Sequence, residues 1–174
     1  MSATKHLVPR LPVPGLEVKT LSGDTWKLAE RTAPNFIMIV FYRGLHCPIC
    51  RVYLRELDGK SDDFRARGVD VIAISSDTYE RAARSREEWG LQNVTIGYGL
   101  ALDEARNWGL YVSKAIKESE PAEFSEPGLF VISPDKTLYA AQVSTMPFAR
   151  PSFADILSAL DFVIKNKYPA RGEA

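Results

Sequence analysis

Cysteine and histidine each occur only twice in the 174 residues of this chain. A zinc site of Cys and His ligands needs four of them, so it would have to gather Cys47, Cys50, the adjacent His46 and the distant His6. A c-type haem attachment needs histidine directly after the second cysteine, and Arg51 stands there. Charge of one sign is also missing: Lys+Arg and Asp+Glu both number 22. That balance leaves no electrostatic footprint for nucleic acid or an anionic membrane. No stretch approaches the ~20 apolar residues of a membrane span, and residues 1–7 hold no apolar core of signal-peptide length. The expectation is cytoplasmic residence, with no cofactor or metal. In a reducing compartment, two cysteines three apart are more often catalytic or metal-binding than a structural staple.

The most informative stretch is Phe36-Ile37-Met38-Ile39-Val40-Phe41-Tyr42, followed by Arg43-Gly44-Leu45-His46 and then Cys47-Pro48-Ile49-Cys50. Seven apolar and aromatic residues in a row read as a buried central strand. Polar, helix-favouring sequence follows Cys50 and predicts a helix over about 48–66, with Val52, Leu54, Leu57 and Phe64 on its apolar face and Gly59 and Ser61 as points of bending or breakage. Upstream, Pro9, Pro12, Pro14 and Pro34 exclude a central strand or long helix. Alternation over 16–21 and 25–28 around Ser22-Gly23-Asp24 reads as an edge hairpin.

Downstream, residues 69–75 read as a second buried strand, and Asp77 with Glu80 as the cap of a helix over 78–89. A short strand at 95–99 and a short helix at 102–108 follow, and the charged segment 113–126 reads as a mobile loop. A strand pair at 128–133 and 137–143 turns at Pro134-Asp135-Lys136, and Ser152 caps a last helix through Phe153, Ile156, Leu157, Leu160 and Val163/Ile164. Trp26, Trp89 and Trp108 have apolar neighbours and read as packing residues. Length and the absence of a linker give one domain over 1–174, with its core at about 13–165.

Strand, C-x-x-C, helix, a second strand–helix unit, a late hairpin and a terminal helix form a thioredoxin-like α/β arrangement: a mixed sheet flanked by helices, with an N-terminal hairpin extension. Pro48 suits the first helical position, which makes Cys47 the N-cap. A thiolate there meets free amides and the positive end of the helix dipole, so its pKa should fall. Cys47 is then the better nucleophile, and Cys50, one turn on, is placed to resolve it. His46, if protonated, would depress that thiol further, or else it projects into solvent.

The chain resembles the peroxiredoxin superfamily, the AhpC/TSA or redoxin group of thioredoxin-fold proteins, from about Val13 to Lys165. In that group P-x-x-x-T-x-x-C follows a strand ending in Phe-Tyr; here Phe41-Tyr42 leads into R-x-x-x-C-x-x-C from Arg43. The resemblance places Cys50 on the peroxidatic cysteine, Cys47 on the threonine and Arg43 on the proline. It also implies an arginine just before the strand at Gly128, where this chain has Glu126-Pro127. Pro127 is similar instead to the cis-proline of thioredoxins. Arg43 or Arg150 could supply the missing charge, although a surface role explains Arg150 equally well.

Three functions follow. One is reduction of a small peroxide through a disulfide between Cys47 and Cys50, reset by an external thiol of thioredoxin or glutathione type. Another is reduction of protein disulfides with Cys47 attacking. A third is a non-catalytic binding module that keeps its cysteines for packing. No cysteine follows Cys50, so resolution within this chain must run inside the C-x-x-C. A homodimer stays open.

Overall fold

The computed structural model describes residues 6–174; most of the 1–7 segment read for a leader lies outside them. The run at 36–42 becomes β3 (Phe36–Phe41), buried at every position. Its side chains alternate between two cores: Phe36, Met38 and Val40 enter one, Ile37, Ile39 and Phe41 the other. A strand covered on both faces needs apolar residues throughout, which accounts for the unbroken run.

Seven strands form one sheet. β4 (Val69–Ile74) and β5 (Thr95–Tyr98) extend it in parallel from one side of β3. β8 (Gly128–Ile132) and β9 (Leu138–Val143) continue antiparallel from the other. The N-terminal hairpin, β1 (Glu17–Thr20) and β2 (Thr25–Lys27), closes the far edge, as the sequence suggests, giving the order β2-β1-β5-β4-β3-β8-β9.

Four helices feed the first core: α1 (Pro48–Gly59), α2 (Ser61–Ala66), α3 (Tyr79–Trp89) and α5 (Phe153–Asn166). The second core takes α4 (Leu102–Asn107), the N-terminal segment and all of Trp108 and Trp26. All three tryptophans are buried. No helix among the described residues is long and apolar enough to cross a membrane.

The helix over 48–66 breaks where Gly59 and Ser61 suggest: it is two, separated at Lys60, whose amide turns back onto the last carbonyls of α1. Four expectations need correction. Val52 is 69% exposed, because the buried face of α1 runs through Cys50, Leu54 and Leu57 and leaves position 52 facing outward. The cap of α3 is Thr78, whose hydroxyl accepts the Arg81 amide; Asp77 is drawn inward instead. Residues 113–126 are not a plain loop. They carry most of a two-stranded hairpin, β6 (Val112–Lys114) and β7 (Glu123–Ser125), held by burial of Phe124. No peptide bond among the described residues is cis, so Pro127 lacks the geometry of a thioredoxin cis-proline.

Candidate active site

Strand register brings the site together. Phe41 pairs with Ile74 of parallel β4 and with Gly128 of antiparallel β8. The chain leaving β3 therefore lies between the residues just after Ile74 and those just before Gly128. Crevices at the carboxyl ends of parallel strands are where α/β sheets place ligands, and the C-x-x-C emerges there.

Pro48 opens α1 and Cys47 caps it, with extended backbone and a sulfur that accepts the Cys50 amide at 3.1 Å. The two cysteines are unbridged, and only 1% of Cys47 and 0% of Cys50 is exposed. The Cys47 thiol is lowered to about 6, first by the hydrogen bond from the Cys50 thiol; burial opposes this, while the Cys50 amide, Arg150 and Arg43 assist. Cys50 is pushed up, first by burial, then by donating to Cys47 and lying beside its charge. The pair therefore loses one proton readily and keeps the second. The helix start contributes through a single amide, and the partner sulfur contributes more.

Two arginines flank the dithiol and differ in how they are held. Arg43 Nε lies 3.1 Å from buried Glu126 Oε2, an ion-pair distance at an angle outside that of a hydrogen bond. Its guanidinium also covers the Phe124 ring at 4.7 Å. Glu126 Oε1 accepts from Ser113 Oγ at 2.6 Å, so the β6–β7 hairpin anchors the carboxylate. Arg150 has no such partner: Nη1 and Nη2 are buried without a hydrogen bond, and the guanidinium stacks 4.1 Å above the Tyr53 ring. Tyr53 Oη donates to the Pro151 carbonyl at 2.8 Å. Arg150, Tyr53, Pro127, Gly128 and Pro151 line one small cavity. The roomier clefts, by Arg31 and Asp70 and by Trp108 and Tyr111, hold none of these candidate residues.

His46 is half-buried against the β6–β7 hairpin instead of projecting freely into solvent. Its ring lies 4.5 Å from Phe124, Nδ1 is 3.4 Å from Arg81 Nη2, and Nε2 is buried without a partner. Burial, then Arg43, lower its pKa below the ordinary histidine value. Sequence reasoning missed Glu126, Phe124, Tyr53, Asp77 and Arg81. The signal available for Asp77 and Glu126 was their position, each within three residues of a strand end that pairs with β3 beside the cysteines.

Over residues 9–141 the sequence matches the family described as AhpC/TSA. The chain belongs to the AhpC/TSA family. Among curated relatives, a 1-Cys peroxiredoxin of Dictyostelium discoideum is 29% identical over 157 residues, covering 86% of this chain and 58% of the relative. A 1-Cys peroxiredoxin B of Oryza sativa is 23% identical over 162 residues, covering 87% and 70% respectively. The chain thus spans well under two thirds of the first relative's length.

Solved structures place this AhpC/TSA chain in the same fold. A mutant of the peroxiredoxin 6 of Arenicola marina superposes with a TM-score of 0.76 at 19% identity, covering 93% of this chain and 76% of the other. The peroxidoxin BcpB of Mycobacterium tuberculosis gives 0.72 at 18% identity, covering 91% and 99%. The fold is thioredoxin-like, as the order of elements implies.

Proposed function

We propose that this chain is a thiol-dependent peroxidase working through Cys47 and Cys50. The observation that carries the reading is the dithiol itself: two buried, unbridged sulfurs at the start of one helix, beside a guanidinium with unpartnered N–H groups. The Cys47 thiolate attacks one peroxide oxygen, the O–O bond breaks, and Cys47 becomes a sulfenic acid. The departing hydroxide or alkoxide, stabilised by Arg150, takes up a proton and leaves as water or alcohol. Cys50 then attacks the sulfenic sulfur, a disulfide forms, and water leaves. Two thiols of an external reductant, of thioredoxin or glutathione type, reset the pair and are themselves oxidised to a disulfide.

A second reading exchanges the roles. The family register puts Cys50 at the attacking position, and the Arg43 amide hydrogen-bonds its sulfur. In that case the Cys47 thiolate accepts the Cys50 proton as attack begins. In the reduced form neither sulfur is open to a protein disulfide, which favours a small peroxide as the oxidant; the external thiols that reset the pair need the first turn of α1 to open once the disulfide has formed. The same dithiol calls for a reducing compartment, in keeping with cytoplasmic residence.

Stoichiometric hydrogen peroxide followed by a free-thiol count tests the activity: both thiols are expected to disappear together, and survival of both through many minutes of modest excess rejects it. Comparing Cys47→Ser with Cys50→Ser under sulfenic-acid trapping assigns the attacker, since only the variant that keeps it traps. Insulin reduction at the uncatalysed rate is expected, and acceleration would favour the disulfide-reductase alternative.

A further inference from the structure

We propose that Asp77 is a positioning residue for the dithiol, clamping from the end of β4 the turn that delivers Cys47 to the start of α1. This deepens the peroxidase reading, although the geometry stands without it. The Cys47 amide donates to the Gly44 carbonyl at 3.1 Å, closing a four-residue turn over Gly44, Leu45, His46 and Cys47. Asp77 reaches its central residues from one side. Oδ2 accepts the Leu45 amide at 2.7 Å, and Oδ1 accepts Arg81 Nε at 2.8 Å. Arg81 Nη2 continues to His46 Nδ1 at 3.4 Å.

Gly44 explains why the carboxylate can come so close. Its φ of +132° suits glycine, and a Cβ there would stand 2.6 Å from Asp77 Oδ2. The carboxylate therefore packs directly on the bare backbone of the turn. Asp77 is itself fixed: it is 1% exposed, its amide donates to Ser75 Oγ at 3.3 Å, and its carbonyl accepts the Gly99 amide at 2.9 Å. A buried carboxylate with a charged partner and an amide donor is well satisfied, so the arrangement is rigid. Its consequence falls on the last residue of the turn, Cys47, whose sulfur must meet the Cys50 amide. The effect runs through shape; a negative charge acting through space would raise the thiol pKa instead of preserving it.

Alkylation by iodoacetamide across a pH series, with Cys47 identified by peptide mass, reads the consequence without any peroxide. Asp77→Ala is expected to raise the Cys47 midpoint by about one pH unit, which slows alkylation near neutral pH roughly tenfold. Asp77→Asn keeps one oxygen to accept the Leu45 amide and gives up the acceptor facing Arg81, so its midpoint is expected to rise by less than that of Asp77→Ala. An Asp77→Ala protein with a lowered melting temperature and an unmoved midpoint overturns the proposal, leaving Asp77 a stabilising residue only. A lowered midpoint in Asp77→Asn also overturns it, since charge would then be the cause. Should Asp77→Ala fail to fold, Arg81→Ala on the half-exposed side of the clamp must raise the midpoint by a smaller amount, and an unmoved midpoint there is equally fatal. None of these outcomes depends on peroxide turnover, so failure of the peroxidase reading remains separately visible.

Discussion

The two ends of α1 treat buried polar groups in opposite ways. At the C-terminal end, Asp58 accepts the amides of Gln92, Asn93 and Val94 and the Asn93 side chain at 2.7–3.2 Å. That cluster ties α1 to the loop before β5 and leaves no partner wanting. Around the N-terminal end, Arg150 Nη1 and Nη2 and His46 Nε2 have no hydrogen-bond partner among the described residues, and the two thiols are unbridged. Buried donors without acceptors are costly, and under the proposed function these are the groups that would meet the peroxide. One end of the helix is a joint; the other is the proposed reaction site.

If that contrast is right, substitutions at the N-terminal end should change chemistry and those at the C-terminal end should change stability. The largest effect is expected from Cys47→Ser, which should lower peroxide consumption roughly 10³-fold or more while leaving the melting curve nearly in place. The same loss appearing in Cys50→Ser alone would exchange the roles of the two sulfurs. Next comes Arg150→Met, with a fall in kcat/KM of roughly 100-fold. In the parent protein the oxidation rate should rise with pH through about 6, because the thiolate is the reactive form and the Cys47 thiol is lowered to that value. In Arg150→Met that rise should move to higher pH.

At the other end, Asp58→Ala should cost about 2 kcal/mol in urea unfolding with the dithiol unaffected. Burial is the largest single influence on Asp58 and raises its pKa, but the amides of Val94, Asn93 and Gln92 outweigh it and the net direction is down. A carboxyl whose folded pKa is depressed contributes stability above its unfolded value and loses it as pH falls through the folded one. The gap between parent and variant should therefore narrow in acid. Tyr53→Phe removes the bond to the Pro151 carbonyl and should cost about 1 kcal/mol, keeping the ring beneath Arg150. Val52→Ser, on the outward face of α1, should stay within ~0.5 kcal/mol; a larger loss would show that this face is covered in solution.

The features legible in the sequence were those with local causes. β3 announced itself because a strand buried on both faces has no polar position, and Pro48 and Ser152 mark helix starts through backbone rules that act within a turn. The hairpin at β6 and β7 did not, because its charged residues face outward and its only strong anchor, Phe124, is explained by contact with Arg43 and His46 some eighty positions away. Asp77 followed a capping pattern correctly in form, yet a bond to Leu45 across the sheet end and an ion pair with Arg81 hold it elsewhere. Arg150 was legible only as one of two arginines that could bring charge to the dithiol, with a surface role equally open, because nothing near it in sequence records Tyr53 on α1. Each miss was a long-range contact competing with a local preference.

The placement of both sulfurs within the first turn of α1 has a thermal consequence. A bond between Cys47 and Cys50 would close a ring of only four residues and cross-link no second element of the fold. On chain-entropy grounds such a ring restricts the unfolded chain by only about 2 kcal/mol, against roughly 4.7 for a loop of a hundred residues. Oxidised and reduced forms should therefore melt within roughly 4–8 °C of each other, about half the separation that a long-range cross-link of the same chain would give.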